Sequence, residues 1–329
     1  MAIDLGGTLT KIAYVTATGD ITDVQRIETR LDDQGAVPPA WLAGLIKGAA
    51  QARAELTAVG YGFVAPGIID AAAGVVRVAP NIGWHEMPIR DLLDAQTGLP
   101  GAIGHDVRAG GLAEWRLGTH PQVDNLLFLP LGTGIAGAAV VDGRLLEAGG
   151  YAGEIGHLHV SVADQHCACG AYGCLETVAS AAGVARSYRR TTGFRRSALE
   201  VADLARHGDQ AALQAFAVAI AGLAEALAAY AALLAPEVVI IGGGLSGAAD
   251  LMLDELAEAL DDRLSFHRRP QLTVASLGSD AGVRGAGLLG WERHPDRAAN
   301  ADFWSENPLR RGFSTKSRPG ATNGGPSDE

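Results

Sequence analysis

Basic residues are in the minority in this chain: 26 Lys and Arg stand against 37 Asp and Glu, a formal net charge of −11. A surface that neutralises nucleic-acid phosphates needs the opposite balance, so nucleic acid is not an expected partner. Charge of either sign is sparse, 19% of 329 residues, and a chain of that length can bury a substantial core, divided between two domains more readily than held in one. No basic, apolar, small-residue leader stands at the N-terminus, and the expected location is the cytoplasm. Long apolar runs are also lacking, save Ala211 to Ala235, which Gln214 and Glu225 interrupt and which Pro236 and a strand-like Val238 to Ile241 follow at once. It reads as a buried helix, and no membrane partner is expected.

Cysteine is scarcer still. The three in the chain, Cys167, Cys169 and Cys174, fall within eight positions, and His157 stands ten residues before the first. Zn²⁺ favours four tetrahedral ligands from thiolate and imidazole, and C-x-C and C-x4-C spacings let one tight loop supply three of them. Gly170 and Gly173 stand where a loop folding round a metal needs positive φ. An odd cysteine count argues against disulfides. Four protein ligands close the site, so the zinc is expected to be structural. Glu154 precedes His157 by three residues and Glu176 follows Cys174 by two. A metal pinning this segment would set two carboxylates and an imidazole edge round one small volume, which suits a polyhydroxylated ligand.

Taken in order, residues 2–5 form an apolar strand leading into Asp4-Leu5-Gly6-Gly7-Thr8-Leu9-Thr10-Lys11. Strand, paired glycines and return strand make a tight turn whose backbone N–H groups can face phosphate oxygens, with the Thr8 hydroxyl beside them. A third strand over 21–30 and a helix over 38–56 follow. The strand 57–65 runs into Pro66-Gly67, a turn able to present main-chain groups to a ligand. After a helix over 88–97, a short strand ends at His105-Asp106, where a carboxylate can serve as a helix cap or as a reacting group.

The order then repeats. A strand over 125–131, the turn Gly132-Thr133-Gly134, a return strand over 135–143 and a third element over 144–150 copy the first cycle, so two glycine turns are expected to face each other across a cleft. Helices are expected over 175–190, 197–207 and 209–234. A strand over 236–244 ends in Gly242, Gly243 and Gly244, where an open α/β sheet binds nucleotides. A strand over 271–276 and a helix over 280–291 close the globular part, and residues 294–329, rich in Pro, Gly, Ser, Asn and Arg, are expected to be disordered.

The series DLGGTLTK, GFVAPGIID, NIGWHEMPIRDLL, GHDVRAGGLAEW, LGTGIAGAAVVDG, GYAGEIGHLHV, CACGAYGCLE and VVIIGGGLS resembles the ROK family of bacterial sugar kinases, in family order across nearly all of residues 1–292. The resemblance implies an α/β, actin-like (RNase H-like) ATPase fold with the active site between two lobes. The N-terminal lobe would be 1–105, completed by a helix at about 281–293, and the larger C-terminal lobe 106–280. It implies ATP-dependent phosphorylation of a hexose, with glucokinases of actinobacterial type the nearest match and glucose 6-phosphate the expected product. Kinases for N-acetylmannosamine, N-acetylglucosamine, fructose or allose, and non-catalytic sugar-sensing regulators, share these motifs.

Carried over by position, Asp106 matches the catalytic base. Asp4, Gly6, Gly7, Thr8 and Lys11 match the first phosphate motif, Gly132, Thr133 and Gly134 the second, and Gly242 to Gly244 with Ala281-Gly282 the adenosine side. Gly67, His105, Asp106, Glu154, His157 and Glu176 fall on sugar-contacting positions, and His157, Cys167, Cys169 and Cys174 on zinc ligands. Mg²⁺ would accompany ATP, and a homodimer or higher homo-oligomer is expected. Two departures stand out. His105-Asp106-Val107-Arg108 replaces the family's Asn-Asp-Ala-Asn, exchanging an amide for an imidazole, and Ala136 stands where the second phosphate motif has glycine.

Overall fold

The computed structural model describes residues 1–53, 55–120 and 122–293; the expected disordered tail, 294–329, lies outside the described residues. The chain begins with β1 (Ala2–Leu5), β2 (Leu9–Val15) and β3 (Ile21–Glu28). Ala2, Ile3 and Leu5 are wholly buried, as an apolar central strand must be. Helix α1 (Pro39–Ala52) starts with Pro at its first position, where the missing N–H costs nothing. It stops four residues short of the expected Leu56, because Arg53 turns to extended backbone and its guanidinium pairs with Asp23 and Glu55.

Strand β4 (Tyr61–Ala65) is followed by β5 (Ile68–Asp70), β6 (Val75–Ala79) and β7 (Trp84–Met87). These last three form a separate antiparallel sheet that the sequence reading did not anticipate. Its first turn is set by Asp70, whose Oδ1 accepts from the Ala73 N–H at 2.9 Å, a side-chain turn that apolar alternation does not reveal. Trp84 is 2% exposed and its Nε1–H donates to the Val37 carbonyl at 2.8 Å; truncating it to Ala would cost about 3–5 kcal/mol. Then come α2 (Ile89–Thr97), β8 (Gly101–His105) and α3 (Asp106–Leu117).

The second cycle holds β9 (Leu126–Pro130), β10 (Ala138–Val141), β11 (Arg144–Leu145), α4 (Glu176–Ala179), α5 (Ala181–Thr192), α6 (Ala198–Arg206), α7 (Gln210–Leu234), β12 (Val238–Gly242), α8 (Leu253–Asp261), β13 (Gln271–Val274) and α9 (Ala281–Glu292). The expected helix over 175–190 is two helices. Ser180 is extended, and its Oγ accepts from the Gly183 N–H at 2.9 Å to cap α5. Helix α7 is long and apolar enough to cross a membrane by length and composition. Its Ala212, Phe216, Ala219, Leu223 and Leu227 are buried in a core shared with β9, β12 and α5, as the interrupted run implied.

The two large sheets run β3-β2-β1-β4-β8 and β11-β10-β9-β12-β13. Each places its third, second and first strands before two parallel ones, so the duplication read from the glycine turns holds at the level of topology. Helix α3 connects the first sheet to the second and α9 returns to the first; their Ala109, Val283 and Ala286 share a small core with Ala2 and Val64. The approach is close enough that a Cβ at Gly285 would lie 1.9 Å from the Ala109 carbonyl oxygen.

Candidate active site

The register of the first sheet aligns three predicted groups along one edge. Asp4 of β1 pairs with Val64 of β4, and Ala65 pairs with His105 of β8. The Gly6-Gly7 turn, the Pro66-Gly67 turn and Asp106 therefore leave the sheet side by side. Gly67 has φ of +109° and a Cβ there would lie 2.3 Å from the Val78 carbonyl oxygen, so only glycine fits. The first turn is closed by Gly6 N–H donating to the Leu9 carbonyl at 3.0 Å, and Thr8 accepts from the Thr29 N–H at 2.9 Å.

Asp4 lies beneath this turn. Burial pushes its carboxyl up to about 6, the charge of Asp106 adds to the rise, and Lys11 opposes it. The Lys11 ammonium is 3.9 Å from Asp4 Oδ2 and 4.0 Å from Asp280 Oδ1, and it donates to the Ser279 carbonyl. Lys11 thus bridges the first turn to the segment entering α9. Gly282 of that helix approaches so closely that a Cβ would sit 2.6 Å from Asp4 Oδ2.

Asp106 shares the capping of α3 with its neighbour. His105 is the N-cap of α3 and Asp106 its first residue. The Val107 N–H donates to both His105 Nδ1 at 3.1 Å and Asp106 Oδ1 at 2.7 Å. Burial, then the charge of Arg108, holds the His105 imidazole down to about 3. The ring is therefore neutral, and with Nδ1 accepting, its proton resides on Nε2 as a donor. Burial raises the Asp106 carboxyl above the usual range, partly offset by the Val107 N–H and Arg108.

In the second sheet Gly242 pairs with Pro130, and the Leu131 N–H donates to the Gly242 carbonyl at 2.9 Å while Leu245 N–H donates to Leu131 at 3.1 Å. The Gly242 to Gly244 segment and the Gly132-Thr133-Gly134 turn are thus one unit. Gly132 N–H donates to the Gly134 carbonyl at 3.1 Å. Ala136 falls outside the positive-φ residues, so the missing glycine there costs no strain. Glu176, expected at the sugar, meets the second glycine turn: its Oε2 accepts from the Ile135 N–H at 2.9 Å, and a Cβ at Gly134 would lie 2.4 Å from that oxygen. One carboxylate ties the second glycine turn to the cysteine loop.

In that loop the ligand atoms of His157, Cys167, Cys169 and Cys174 lie within 4.8 Å of one another. Cys169 and Cys174 Sγ are 3.7 Å apart, as are Cys167 Sγ and His157 Nδ1. A tetrahedral site with Zn–S bonds of about 2.3 Å has edges of about 3.8 Å, so the donor set fits a four-coordinate zinc. Gly170 and Gly173 have φ of +93° and +80°, as the fold of the loop requires. Burial pushes the Cys174 thiol up to about 12; only a bound cation would hold it as thiolate. The two nitrogens of His157 divide their roles: Nδ1 faces Cys167, and Nε2 lies 3.7 Å from Glu154 Oε2.

Arg108 was legible only as a departure from the family pattern. It is 5% exposed, and its Nη1 donates to the Gly150 and Ala152 carbonyls at 3.1 and 2.9 Å. It fixes the segment that delivers Glu154, and its charge interacts with Glu147, Glu154 and Asp106. Of the two arginines of α3, Arg108 and Arg116, it is the one that replaces the family's second asparagine, and that was the one available signal.

The model of the ROK family matches residues 1–292. The chain is 34% identical over 316 residues to a glucokinase of Halalkalibacterium halodurans, covering 88% of this chain and 94% of that one. Its structure is similar to that of a ROK family glucokinase from Streptomyces griseus in complex with glucose and AMPPNP, with a TM-score of 0.74 and 27% identity, over 88% of this chain and 98% of that one. It is similar also to a ROK family transcriptional regulator, a homolog of the E. coli MLC protein, with a TM-score of 0.80 and 26% identity, over 88% of this chain and 76% of that one. The paired sheets are those of the actin-like ATPase fold, and the chain belongs to the ROK family.

Proposed function

We propose that this chain, an ATP-dependent sugar kinase, acts on glucose and yields glucose 6-phosphate, with Asp106 as the general base. The observation that carries the reading is the position of Asp106: at the head of α3, beside a neutral His105, and close enough to Asp4 of the first glycine turn to raise its pKa. The sugar hydroxyl would give its proton to the Asp106 carboxylate as its oxygen bonds to the γ-phosphorus, and the bond from that phosphorus to ADP would break. A positioned base of this kind contributes about 10²–10⁴-fold. Burial of Asp106 favours the task, because it raises proton affinity toward the working pH.

The remaining residues bind and orient. His105 Nε2–H, Glu154, His157 Nε2, Glu176 and the Gly67 turn would meet the sugar hydroxyls, and Arg108 would keep the Glu154 segment in place. Mg²⁺–ATP is the second substrate, and its phosphates would lie along Gly6, Gly7 and Thr8 and along Gly132, Thr133 and Gly134, with Asp4 and Lys11 beneath them. The adenosine would lie against Gly242 to Gly244. A zinc ion held by His157, Cys167, Cys169 and Cys174 would supply no chemistry; it would fix His157 and the loop leading to Glu176. We take 1–105 with the helix near 281–293 as one lobe and 106–280 as the other, and a homodimer or higher homo-oligomer as the assembly.

The glucokinase relative supports glucose, and the imidazole of His105 favours a second reading, a different hexose such as N-acetylmannosamine, N-acetylglucosamine, fructose or allose. The likeness to a regulator favours a sugar-sensing role, which a retained base at Asp106 opposes. The test is ADP release with Mg²⁺–ATP across these sugars. Glucose-dependent turnover that exceeds the rest supports the proposal, and preference for another sugar replaces its substrate.

A further inference from the structure

Glu114 stands in the last turn of α3 and is wholly buried, between Ala113 and Trp115, which are buried too. Its Oε2 accepts from His120 Nε2 at 2.9 Å, from Ser276 Oγ at 2.9 Å and from the Ser276 N–H at 3.1 Å; its Oε1 accepts from the Leu277 N–H at 2.8 Å. The Thr119 N–H adds a bond to Ser276 Oγ at 3.2 Å. A carboxylate with four donors, two of them backbone groups of one distant loop, is a clamp on that loop.

The loop it holds runs from the end of β13 to the start of α9. Its far side is gripped by the first hairpin: Arg26 Nη2 lies 2.9 Å from Asp280 Oδ1, and Lys11 reaches both Ser279 and Asp280. Two residues further, Gly282 lies against the Asp4 carboxylate. The path from Glu114 thus leads through residues 276–282 to Asp4 and Lys11. None of the bonds on that path involves His105, Glu154 or His157, the sugar-side groups. Asp106 and Glu114 begin and nearly end the same helix, so α3 carries the base at one end and this clamp at the other.

We propose that Glu114 is a positioning residue for the nucleotide: it fixes the 276–282 loop and through it the Asp4 and Lys11 groups beneath the first glycine turn. The inference rests on the reading of that turn as a phosphate site.

Binding of Mg²⁺–ATP and of glucose is to be measured by calorimetry for the intact chain, for Glu114→Gln and for Ser276→Ala, alongside steady-state kinetics and thermal melts. The amide of Glu114→Gln keeps one acceptor and adds a donor facing donors, so nucleotide affinity and KM for ATP should worsen by roughly tenfold, with KM for glucose within about twofold. Ser276→Ala removes only one hydroxyl and should weaken nucleotide affinity by about two- to threefold while leaving the fold intact. A loss shared equally by sugar and nucleotide, or a lowered melting temperature with unchanged nucleotide affinity in the folded variants, would overturn the proposal. Absence of nucleotide binding by the unaltered chain would overturn the phosphate-site reading beneath it; binding that neither variant weakens overturns the role of Glu114 alone.

Discussion

His105 Nδ1 and Asp106 Oδ1 lie 3.2 Å apart and accept from one backbone N–H, that of Val107. With its pKa held near 3, His105 stays neutral across the working range and contributes no limb to the pH–rate profile between pH 5 and 8. His105→Leu should raise KM for the sugar about tenfold by removing a buried donor, lower stability by about 1 kcal/mol through the lost cap, and leave the profile's shape unchanged. His105→Asn keeps both a cap and a donor and should restore most of the stability. Kinetics from pH 5 to 8 with thermal melts check this; a limb near pH 6 to 7 that vanishes in either variant refutes the assignment.

Burial of the Asp4 carboxyl sets a pH dependence of stability. Its carboxyl titrates near 6 in the folded chain against an ordinary value of 3.8. The folded state therefore binds more protons than the unfolded state between these values, and this group's contribution to stability falls as pH rises through that window. Asp4→Asn should then be more stable than the unaltered protein at pH 7.5, by about 1–3 kcal/mol, with the advantage gone near pH 4, and it should turn over far more slowly. Urea unfolding at the two pH values measures the difference; equal stability at pH 7.5 would show that burial exacts no penalty there.

The cysteine loop yields a metal prediction. Elemental analysis should find about one zinc per chain, and Cys174→Ser, which replaces a 1% exposed thiol, should lose it and lower the melting temperature. Because His157 belongs to the cluster and Glu176 follows its last cysteine by two residues, KM for the sugar should rise with it. Unchanged zinc content in Cys174→Ser would remove this residue from the ligand set.

How much of this was legible follows the range of the interactions. Both glycine turns, the strands around them and the cysteine loop are marked by residues close in sequence, and they stand where the sequence put them. The break between α4 and α5 was missed because Ser180 reads as one more small residue in a helical run; its Oγ both donates to the Glu176 carbonyl at 2.7 Å and caps Gly183. Ser180→Ala should cost about 1–2 kcal/mol, seen as a shift of the urea midpoint at constant slope. The contacts of Arg108 and Glu114 were not legible for a different reason: their partners, Gly150 and Ala152 for the one and Ser276 and Leu277 for the other, lie far along the chain, and no local pattern encodes them.

The central claim is that Asp106 takes a proton from a sugar hydroxyl during phosphoryl transfer from ATP. The most direct measurement is sugar-dependent ADP release by the unaltered chain and by Asp106→Asn, with glucose and the other hexoses at saturating Mg²⁺–ATP, and with glucose binding measured in parallel. The account predicts glucose-dependent turnover that falls by about 10²–10⁴-fold in Asp106→Asn while glucose binding is kept. Turnover in Asp106→Asn equal to that of the unaltered chain, or no sugar-dependent ADP release from either, would contradict it.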